Sequence, residues 1–244
     1  MKLVFFTALG VGGATVFGSL IGFLVKKIPT RFADLTISFA AGVMLAASVW
    51  GLIIPSLGEW NFFEVLICIL GIMLGAVFIG ASERFIPGLR FVAGEGCSGE
   101  EADSALMLVF AMALHNLPEG LAAGVSLGSG EIGGAIAVAG GIALQNIPEG
   151  MAVVPPMLAV GISRKRAFWL AMFTGMTEVV GTFLGYHAIA LFQSLLPISL
   201  AFAGGAMIYV IVDEMIPRAV QQGKLGAYVF VFGICVMLFM NYML

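Results

Sequence analysis

The chain consists almost entirely of long apolar runs that charged residues rarely interrupt. Each run holds about 20 residues, the length an α-helix needs to cross a bilayer core of about 30 Å. The runs are continuously apolar and do not alternate, which favours helices over a β-barrel. We therefore predict an all-α integral membrane protein with eight transmembrane helices. The predicted spans are Leu3–Val25, Phe32–Pro55, Phe62–Ser82, Ser104–Leu127, Ile132–Val160, Ala167–Leu191, Leu195–Ile216 and Leu225–Leu244.

The composition excludes several other classes of protein. Hydrophobic residues make up 61% of the chain and charged residues 10%, whereas a soluble domain carries about 25% charged residues. The net charge of -3 leaves no basic surface for nucleic acid. The three cysteines form no CxxC pair, which argues against a disulfide framework. The chain has no Walker A or HExxH sequence, so we expect no ATP-driven step and no metalloprotease site of the HExxH type.

The basic residues predict the orientation in the membrane. The loops after predicted helices 1, 3, 5 and 7 hold nearly all of them, and the opposite side holds only Lys2. Because cytoplasmic loops are rich in Lys and Arg, we expect both termini outside the cytoplasm, in the cytoplasmic membrane of a prokaryote. The longest predicted cytoplasmic loop covers residues 83–103 and is acidic from Gly94 to Asp103. The loop cations are Lys26, Lys27, Arg31, Arg84, Arg90, Arg164, Lys165, Arg166, Arg218 and Lys224.

A ten-residue motif occurs twice, as ALHNLPEGLA at Ala113–Ala122 and as ALQNIPEGMA at Ala143–Ala152. The two copies lie on consecutive predicted helices, which run in opposite directions. The same sequence on antiparallel helices implies a pseudo-twofold axis in the membrane plane. Such an axis brings the motifs together near the midplane, where inverted-repeat transporters bind their substrates.

A fainter repeat links the outer helices and predicts one transmembrane domain, residues 1–244, in a 3+2+3 arrangement. Helices 1–3 (3–82) and 6–8 (167–244) would flank a central pair (104–160). One fixed offset relates helix 2 to helix 7, and helix 1 resembles helix 6 if one residue is inserted. The matches are Ala41-Gly42 with Ala203-Gly204, Ile54-Pro55 with Ile216-Pro217, and Thr15, Gly18 and Gly22 with Thr177, Gly181 and Gly185.

The spacing within the motif suits metal coordination. His115 and Glu119 are four residues apart and share a helix face, and Asn116 is three residues from the same Glu. A carboxylate in that position can bridge two metal ions, one held with His115 and one with Asn116. The second copy repeats the geometry with Gln145, Asn146 and Glu149.

Three carboxylates lie deep in the predicted spans: Glu119, Glu149 and Glu178. An ionised carboxylate there costs several kcal/mol unless it is paired, hydrated or coordinated. No Lys or Arg lies at a comparable depth, so we expect protons or a bound cation to neutralise these acids. The His, carboxylate and amide set suits Zn²⁺, Fe²⁺, Mn²⁺ or Co²⁺ better than an alkali ion. A proton relay and a pair of helices held together by polar contacts are the alternatives.

Met44 and the pair Asp213 and Glu214 are further candidate metal ligands, and each has an alternative structural explanation. Met44 would add a thioether ligand if it points inward, although on spacing alone ordinary packing is the better explanation for a single Met in a chain with 14. Asp213 and Glu214 lie at the cytoplasmic end of predicted helix 7, where solvated interfacial acids and a metal-release site are both consistent with the sequence.

At these motifs the chain resembles the ZIP (Zrt-, Irt-like) family of divalent metal transporters, and Gln145 resembles its GufA-type branch. The resemblance implies zinc transport into the cytoplasm by alternating access, with iron, manganese, cobalt and cadmium as further candidates. It also implies a homodimer; the metal is transported substrate, and no prosthetic group is expected. Asp213 and Glu214 would lie on the exit path. The implied first site is Met44, His115, Glu119, Gln145 and Glu149; the second is Asn116, Asn146 and Glu178, bridged by the two motif glutamates.

Two departures from the family pattern bear on these sites. Gln145 replaces a His in the first site, and Asn146 stands where a related bacterial member has Asp. We therefore hypothesise that the second site is weak or auxiliary in this chain. A cation channel and, further off, an intramembrane metal-dependent enzyme are the competing functions.

Overall fold

The computed structural model describes residues 1–24, 30–82, 100–159 and 162–243, and all of their regular structure is helical. The prediction of an all-α chain is confirmed for these residues. Two π-helical segments, Ala47–Ile53 and Ile211–Met215, and a 3₁₀ turn at Gln193–Leu195 accompany the α-helices. The α-helices are α1 (Lys2–Leu24), α2 (Thr30–Ala46), α3 (Ile54–Ser56), α4 (Phe62–Ser82), α5 (Glu100–Gly128), α6 (Ile132–Ala159), α7 (Arg164–Leu191), α8 (Leu196–Val210), α9 (Ile216–Gln221) and α10 (Gly223–Met243).

Two predicted boundaries are wrong. The α5 helix begins at Glu100 rather than Ser104, so the last residues of the predicted 83–103 loop are helical, while 83–99 lie outside the described residues. Acidic residues are favourable at a helix N-terminus, so the helix extends beyond the apolar run. The α9 helix continues past Ile216 to Gln221 and includes Arg218, a cation that suits a helix C-terminus.

Six segments among the described residues are long and apolar enough to cross a membrane. The α5 and α6 helices, which carry the repeated polar motif, are not among the six. The α4 and α10 segments present most of their surface outward, since only 22% and 17% of their most apolar windows are buried, against 61% for Asp34–Ser56. The six segments are Lys2–Leu24, Asp34–Ser56, Phe62–Ser82, Arg164–Leu191, Gln193–Gln221 and Gly223–Met243.

Two pairs of outer helices approach so closely that only glycine fits at the contact. A Cβ on Gly75 of α4 would overlap the carbonyl oxygen of Phe202 in α8, and one on Gly233 of α10 would overlap that of Phe39 in α2. Gly75 and Gly233 are 158 residues apart in the chain, and Phe39 and Phe202 are 163 apart. The same contact is therefore made twice, once in each half of the chain.

The inner helices repeat a contact in the same way. A Cβ on Gly120 of α5 would overlap the carbonyl oxygen of Glu178 in α7, and one on Gly150 of α6 would overlap that of Thr15 in α1. Gly120 and Gly150 are 30 residues apart in the chain, and the residues they contact, Thr15 and Glu178, are again 163 apart. The α1–α6 packing thus corresponds to the α7–α5 packing.

The contacts correct one detail of the sequence repeat. Gly42 abuts the carbonyl oxygen of Phe230, and Gly205 abuts that of Ile72. These contacts make Gly205 the counterpart of Gly42, whereas the sequence match chose Gly204. The π-helical segments have different lengths, 7 and 5 residues, and lie between this contact and the Ile-Pro pairs that follow. The offset between the two halves is 163 at the glycine contact and 162 at the Ile-Pro pairs, so it changes within this stretch and a comparison at one offset misses the change.

Substituting the outer contact glycines tests this packing. We expect Gly75→Ala and Gly233→Ala each to lower the free energy of unfolding by about 1–3 kcal/mol, because the methyl group forces two backbones apart. Gly13→Ala is the control, since nothing lies within 4 Å of its Cβ position, and alanine is the better helix former. Thermal unfolding of the purified protein in detergent measures the difference. Wild-type melting of both contact variants would contradict this packing.

Candidate metal-binding site

Glu178 on α7 is the centre of a fully buried hydrogen-bond cluster that joins four helices. Its Oε1 accepts from the hydroxyl of Thr15 on α1 and, at 2.7 Å, from Nδ2 of Asn116 on α5. Its Oε2 accepts from Nδ2 of Asn146 on α6 at 2.5 Å. We call these four residues the Glu178 cluster. The structure thus brings together the three residues that the resemblance assigned to a second metal site.

The two asparagines of the Glu178 cluster are held in matching ways. Nδ2 of Asn116 also donates to the carbonyl oxygen of Thr174 at 3.1 Å, and Nδ2 of Asn146 donates to that of Val11 at 3.3 Å. The two acceptors are again 163 residues apart. Because both amide nitrogens point toward Glu178 and a backbone carbonyl, each amide oxygen points away from the carboxylate.

Thr15 is the member of the Glu178 cluster that sequence reasoning missed. The sequence comparison aligned Thr15 with Thr177, but the structural offset of 163 makes it the counterpart of Glu178 itself. The signal was present, because Gly18 and Gly22 match Gly181 and Gly185 at that same offset. One copy of the repeat therefore carries a carboxylate where the other carries a hydroxyl that donates to it.

The His115 pocket is a second polar region, and it lies beside the motif helices. His115, Glu119 and Glu149 line it together with Glu214 and Arg218 from the end of the chain's second π segment and from α9. Nδ1 of His115 lies 3.6 Å from Oε2 of Glu214, a contact that is an ion pair only when the imidazole is protonated. The remaining walls are apolar: Ile37, Met112, Ala152, Val210 and Met215.

Glu119 connects the first motif copy to the second. Its Oε1 accepts a hydrogen bond of 2.9 Å from Nε2 of Gln145 on α6. The side chain is almost entirely buried, and Glu149 and Glu178 lie close enough for their negative charges to repel it. Three acidic side chains are thus buried near one another, an arrangement in which protons or cations must offset their negative charge.

The two acids at the end of helix 7 are not equivalent. Glu214 is partly buried and lines the His115 pocket, whereas Asp213 is exposed and is not part of the pocket wall that the described residues form. Consecutive helical residues point in different directions, so only one of the pair can face inward. The geometry therefore connects Glu214 to the motif and leaves Asp213 at the surface.

Arg218 contradicts one sequence expectation. We expected no Lys or Arg near the three buried acids, but Arg218 lines the same pocket as Glu149, and its positive charge attracts both Glu149 and Glu214. The expectation is wrong because the helix continues past Pro217, which carries the Arg218 side chain toward the pocket instead of into a loop.

Met44 does not line the His115 pocket in the part of the chain that the structure describes. It is fully buried in an apolar cluster that also contains Ile142 of α6 and Met207 of α8. In the arrangement described here its thioether packs against hydrocarbon.

Four buried side-chain oxygens of the motif residues have no hydrogen-bond partner among the described residues. A buried polar atom without a partner costs about 1–3 kcal/mol, so four of them on two adjacent helices indicate a ligand that accepts lone pairs. In the described ranges no three His, Cys, Asp or Glu side chains are grouped closely enough to hold a metal ion by themselves. A metal ion held in this arrangement would therefore need amide oxygens among its ligands. The four atoms are Asn116 Oδ1, Glu119 Oε2, Gln145 Oε1 and Asn146 Oδ1.

Known proteins carry the same sequence pattern. The sequence profile described as "ZIP Zinc transporter" matches residues 95–241. The chain is 38% identical over 223 residues to the protein named Zinc transporter GufA of Myxococcus xanthus, a match that covers 88% of each chain. The chain belongs to the ZIP family. The resemblance read from the motifs is confirmed, and with six apolar helices this ZIP family member is an integral membrane protein.

Other relatives extend the match over more of the chain. Zinc transporter ZupT of Lysinibacillus sphaericus is 33% identical and covers 96% of this chain and 95% of its own length. Zinc transporter ZIP11 of Xenopus tropicalis is 29% identical, covering 93% and 92%. The similarity to these ZIP proteins therefore includes the outer helices as well as the motif pair.

Thr15→Val tests the Glu178 cluster. The substitution keeps the shape but removes one of the three donors to a buried carboxylate, so we expect the free energy of unfolding to fall by about 1–3 kcal/mol. Thr15→Ser keeps the hydroxyl and should stay closer to wild type. Thermal unfolding in detergent measures both. If the valine variant is as stable as the serine variant, Thr15 does not support Glu178.

Proposed function

We propose that this protein transports divalent transition metal ions across a membrane, with Zn²⁺ as the first candidate and iron, manganese, cobalt and cadmium as further ones. The observation that carries the proposal is a pocket lined by His115, Glu119 and Glu149, next to which the buried Oε2 of Glu119 and Oε1 of Gln145 have no hydrogen-bond partner. Oxygen and imidazole donors are typical ligands of these metals. The relatives' names, which describe zinc transporters, point the same way.

We place the transported ion in the His115 pocket, with His115, Glu119 and Glu149 as ligands that must move closer together to hold it, because no three such side chains of the described residues lie close enough in this conformation. Oε2 of Glu119 is available, because Gln145 already occupies Oε1. The amide oxygen of Gln145 is a further donor. Met44 would join only if α2 rotates, since it now packs in the apolar cluster.

We propose that eight helices cross the membrane as a 3+2+3 inverted repeat. The α5 and α6 helices contain 29 and 28 residues, or about 42 Å at 1.5 Å per residue, enough for a core of about 30 Å. The repeated glycine contacts support the equivalence of the two outer sets. The loop cations support both termini outside the cytoplasm, in a prokaryotic cytoplasmic membrane.

This topology determines which side of the membrane the His115 pocket faces. Arg218 belongs to the predicted cytoplasmic side and lines the His115 pocket with Glu214, so the pocket leads from the motif toward the cytoplasm. We therefore favour import, with Glu214 on the release path and Asp213 at its surface end. Alternating access would close this side while the outer side opens.

The second metal site is weak in this proposal. A metal beside Glu178 would have to displace three hydrogen bonds, from Thr15, Asn116 and Asn146. Both asparagines contribute neutral donors there, so no second carboxylate offsets that loss. The transported ion in the His115 pocket is then the main one, and the Glu178 cluster chiefly holds the helices together.

Asn146→Asp tests this difference between the sites. It replaces an N–H donor by a carboxylate next to Glu178, so we expect two metal ions per chain where the wild type binds one, and slower transport. Metal content after equilibrium dialysis and uptake into proteoliposomes measure both quantities. Unchanged stoichiometry together with unchanged transport would show that position 146 does not limit the second site.

A homodimer remains part of the proposal. The outward faces of α4 and α10 carry many exposed apolar side chains, which suit either lipid or a second copy. Cross-linking in native membranes distinguishes these occupants.

Zinc flux in proteoliposomes tests the function itself. We expect Glu119→Gln and Glu149→Gln each to lower the uptake rate at least about tenfold, because each loses a charged ligand of the ion. Glu59→Gln is the matched control, since that acid is exposed and outside the pocket. Wild-type uptake in both motif variants would contradict the proposed site.

The same preparation separates the alternatives. A carrier saturates with metal and shows counterflow, whereas a channel does neither. An enzyme would turn over a lipid or peptide without moving metal.

A further inference from the structure

The cation in the His115 pocket is not explained by metal coordination. Arg218 is half-buried and faces the same space as Glu149 and Glu214. A guanidinium does not lose its proton in proteins, so it contributes a permanent positive charge. A divalent ion entering the pocket therefore meets a like charge.

We propose that Arg218 is a resident counter-cation that weakens metal binding in the His115 pocket and so promotes release on its side. When no metal is bound, its charge balances the carboxylates of Glu149 and Glu214. When a metal binds, repulsion from Arg218 lowers the affinity. This inference rests on the proposed function and concerns the affinity of the same pocket.

The surroundings of Arg218 support an electrostatic role. The pocket-lining residues Val210 and Met215, which lie close to Arg218 in the chain, are apolar. An apolar, partly enclosed space strengthens interactions between charges. Glu214 is linked in turn to His115 at 3.6 Å. The Arg218 charge therefore acts on Glu214, which lies beside the imidazole, as well as on Glu149.

The position of Arg218 also makes the pocket asymmetric. The Pro-linked segments α3 and α9 are counterparts in the repeat, and at the spacing that matches Pro55 with Pro217 the residue opposite Arg218 is Ser56, a neutral side chain that is buried. Ser56 donates to the carbonyl oxygen of Ile53 at 2.7 Å. The positive charge is thus present at position 218 and absent at position 56. This difference is expected if Arg218 affects metal release on one side of the membrane only.

Zn²⁺ titration of the detergent-purified protein by calorimetry tests the proposal. We expect Arg218→Gln to bind Zn²⁺ about tenfold more tightly, because one repelling charge is removed. Arg218→Lys keeps the charge and should stay within about twofold of wild type. Arg164→Gln is the matched control. Arg164 is exposed at the start of α7, so this substitution removes one positive charge outside the pocket.

A charge-compensation series separates this role from a structural one. Glu214→Gln should weaken Zn²⁺ binding by about tenfold, and the Arg218→Gln/Glu214→Gln double variant should return close to the wild-type affinity. A structural defect would not be repaired by removing a second charged group. If Arg218→Gln aggregates, Arg218→Met removes the charge with a side chain that suits the apolar wall.

The outcomes are distinguishable from those of the proposed function. Zinc binding that depends on Glu119 but is unchanged or weakened in Arg218→Gln overturns the role of Arg218 alone. A wild-type protein whose zinc binding does not depend on Glu119 overturns the proposed site, and with it this inference.

Discussion

The burial of Glu178 constrains the whole inner half of the molecule. A carboxylate shielded from water costs several kcal/mol unless donors surround it, and here Thr15, Asn116 and Asn146 supply them from three different helices. Those donors reach the carboxylate only because the glycine after each motif glutamate lets its helix touch the neighbouring backbone. The spacing of α1, α5, α6 and α7 therefore depends on one charged group.

A symmetric scaffold carries an asymmetric set of charges. The glycine contacts and the asparagine hydrogen bonds occur twice, but Thr15 stands opposite Glu178, and Gln145 stands opposite His115. Arg218 has no charged counterpart in the other half. The contacts thus repeat between the two halves, while the polar and charged side chains around the motif do not. In the proposed carrier the two conformations would share similar helix packing but would hold the metal ion with different affinities.

The sequence predicted much of this arrangement because its signals are local. Helical runs follow from hydropathy, and the repeated motif names His115, Glu119 and Glu149. The resemblance to the ZIP family grouped Asn116, Asn146 and Glu178, which the structure brings together. The sequence did not predict the π segments, which lie between the Gly42–Gly205 equivalence and the Ile-Pro pairs and so led to the match of Gly42 with Gly204. It also missed Thr15, because matching Gly13-Ala-Thr15 with Gly175-Met-Thr177 paired Thr15 with Thr177 and not with Glu178. Nor did it predict Arg218 in the pocket, because where a side chain at a helix end points depends on how far that helix continues.

The position of the bound metal tests the central claim most directly. Anomalous diffraction from crystals of the protein soaked in Cd²⁺ would locate the ion independently of any functional assay. We expect a peak in the His115 pocket, within coordinating distance of the His115 imidazole and the Glu119 carboxylate, roughly 2.0–2.6 Å. A peak confined to the Glu178 cluster, or none near either motif, would contradict it.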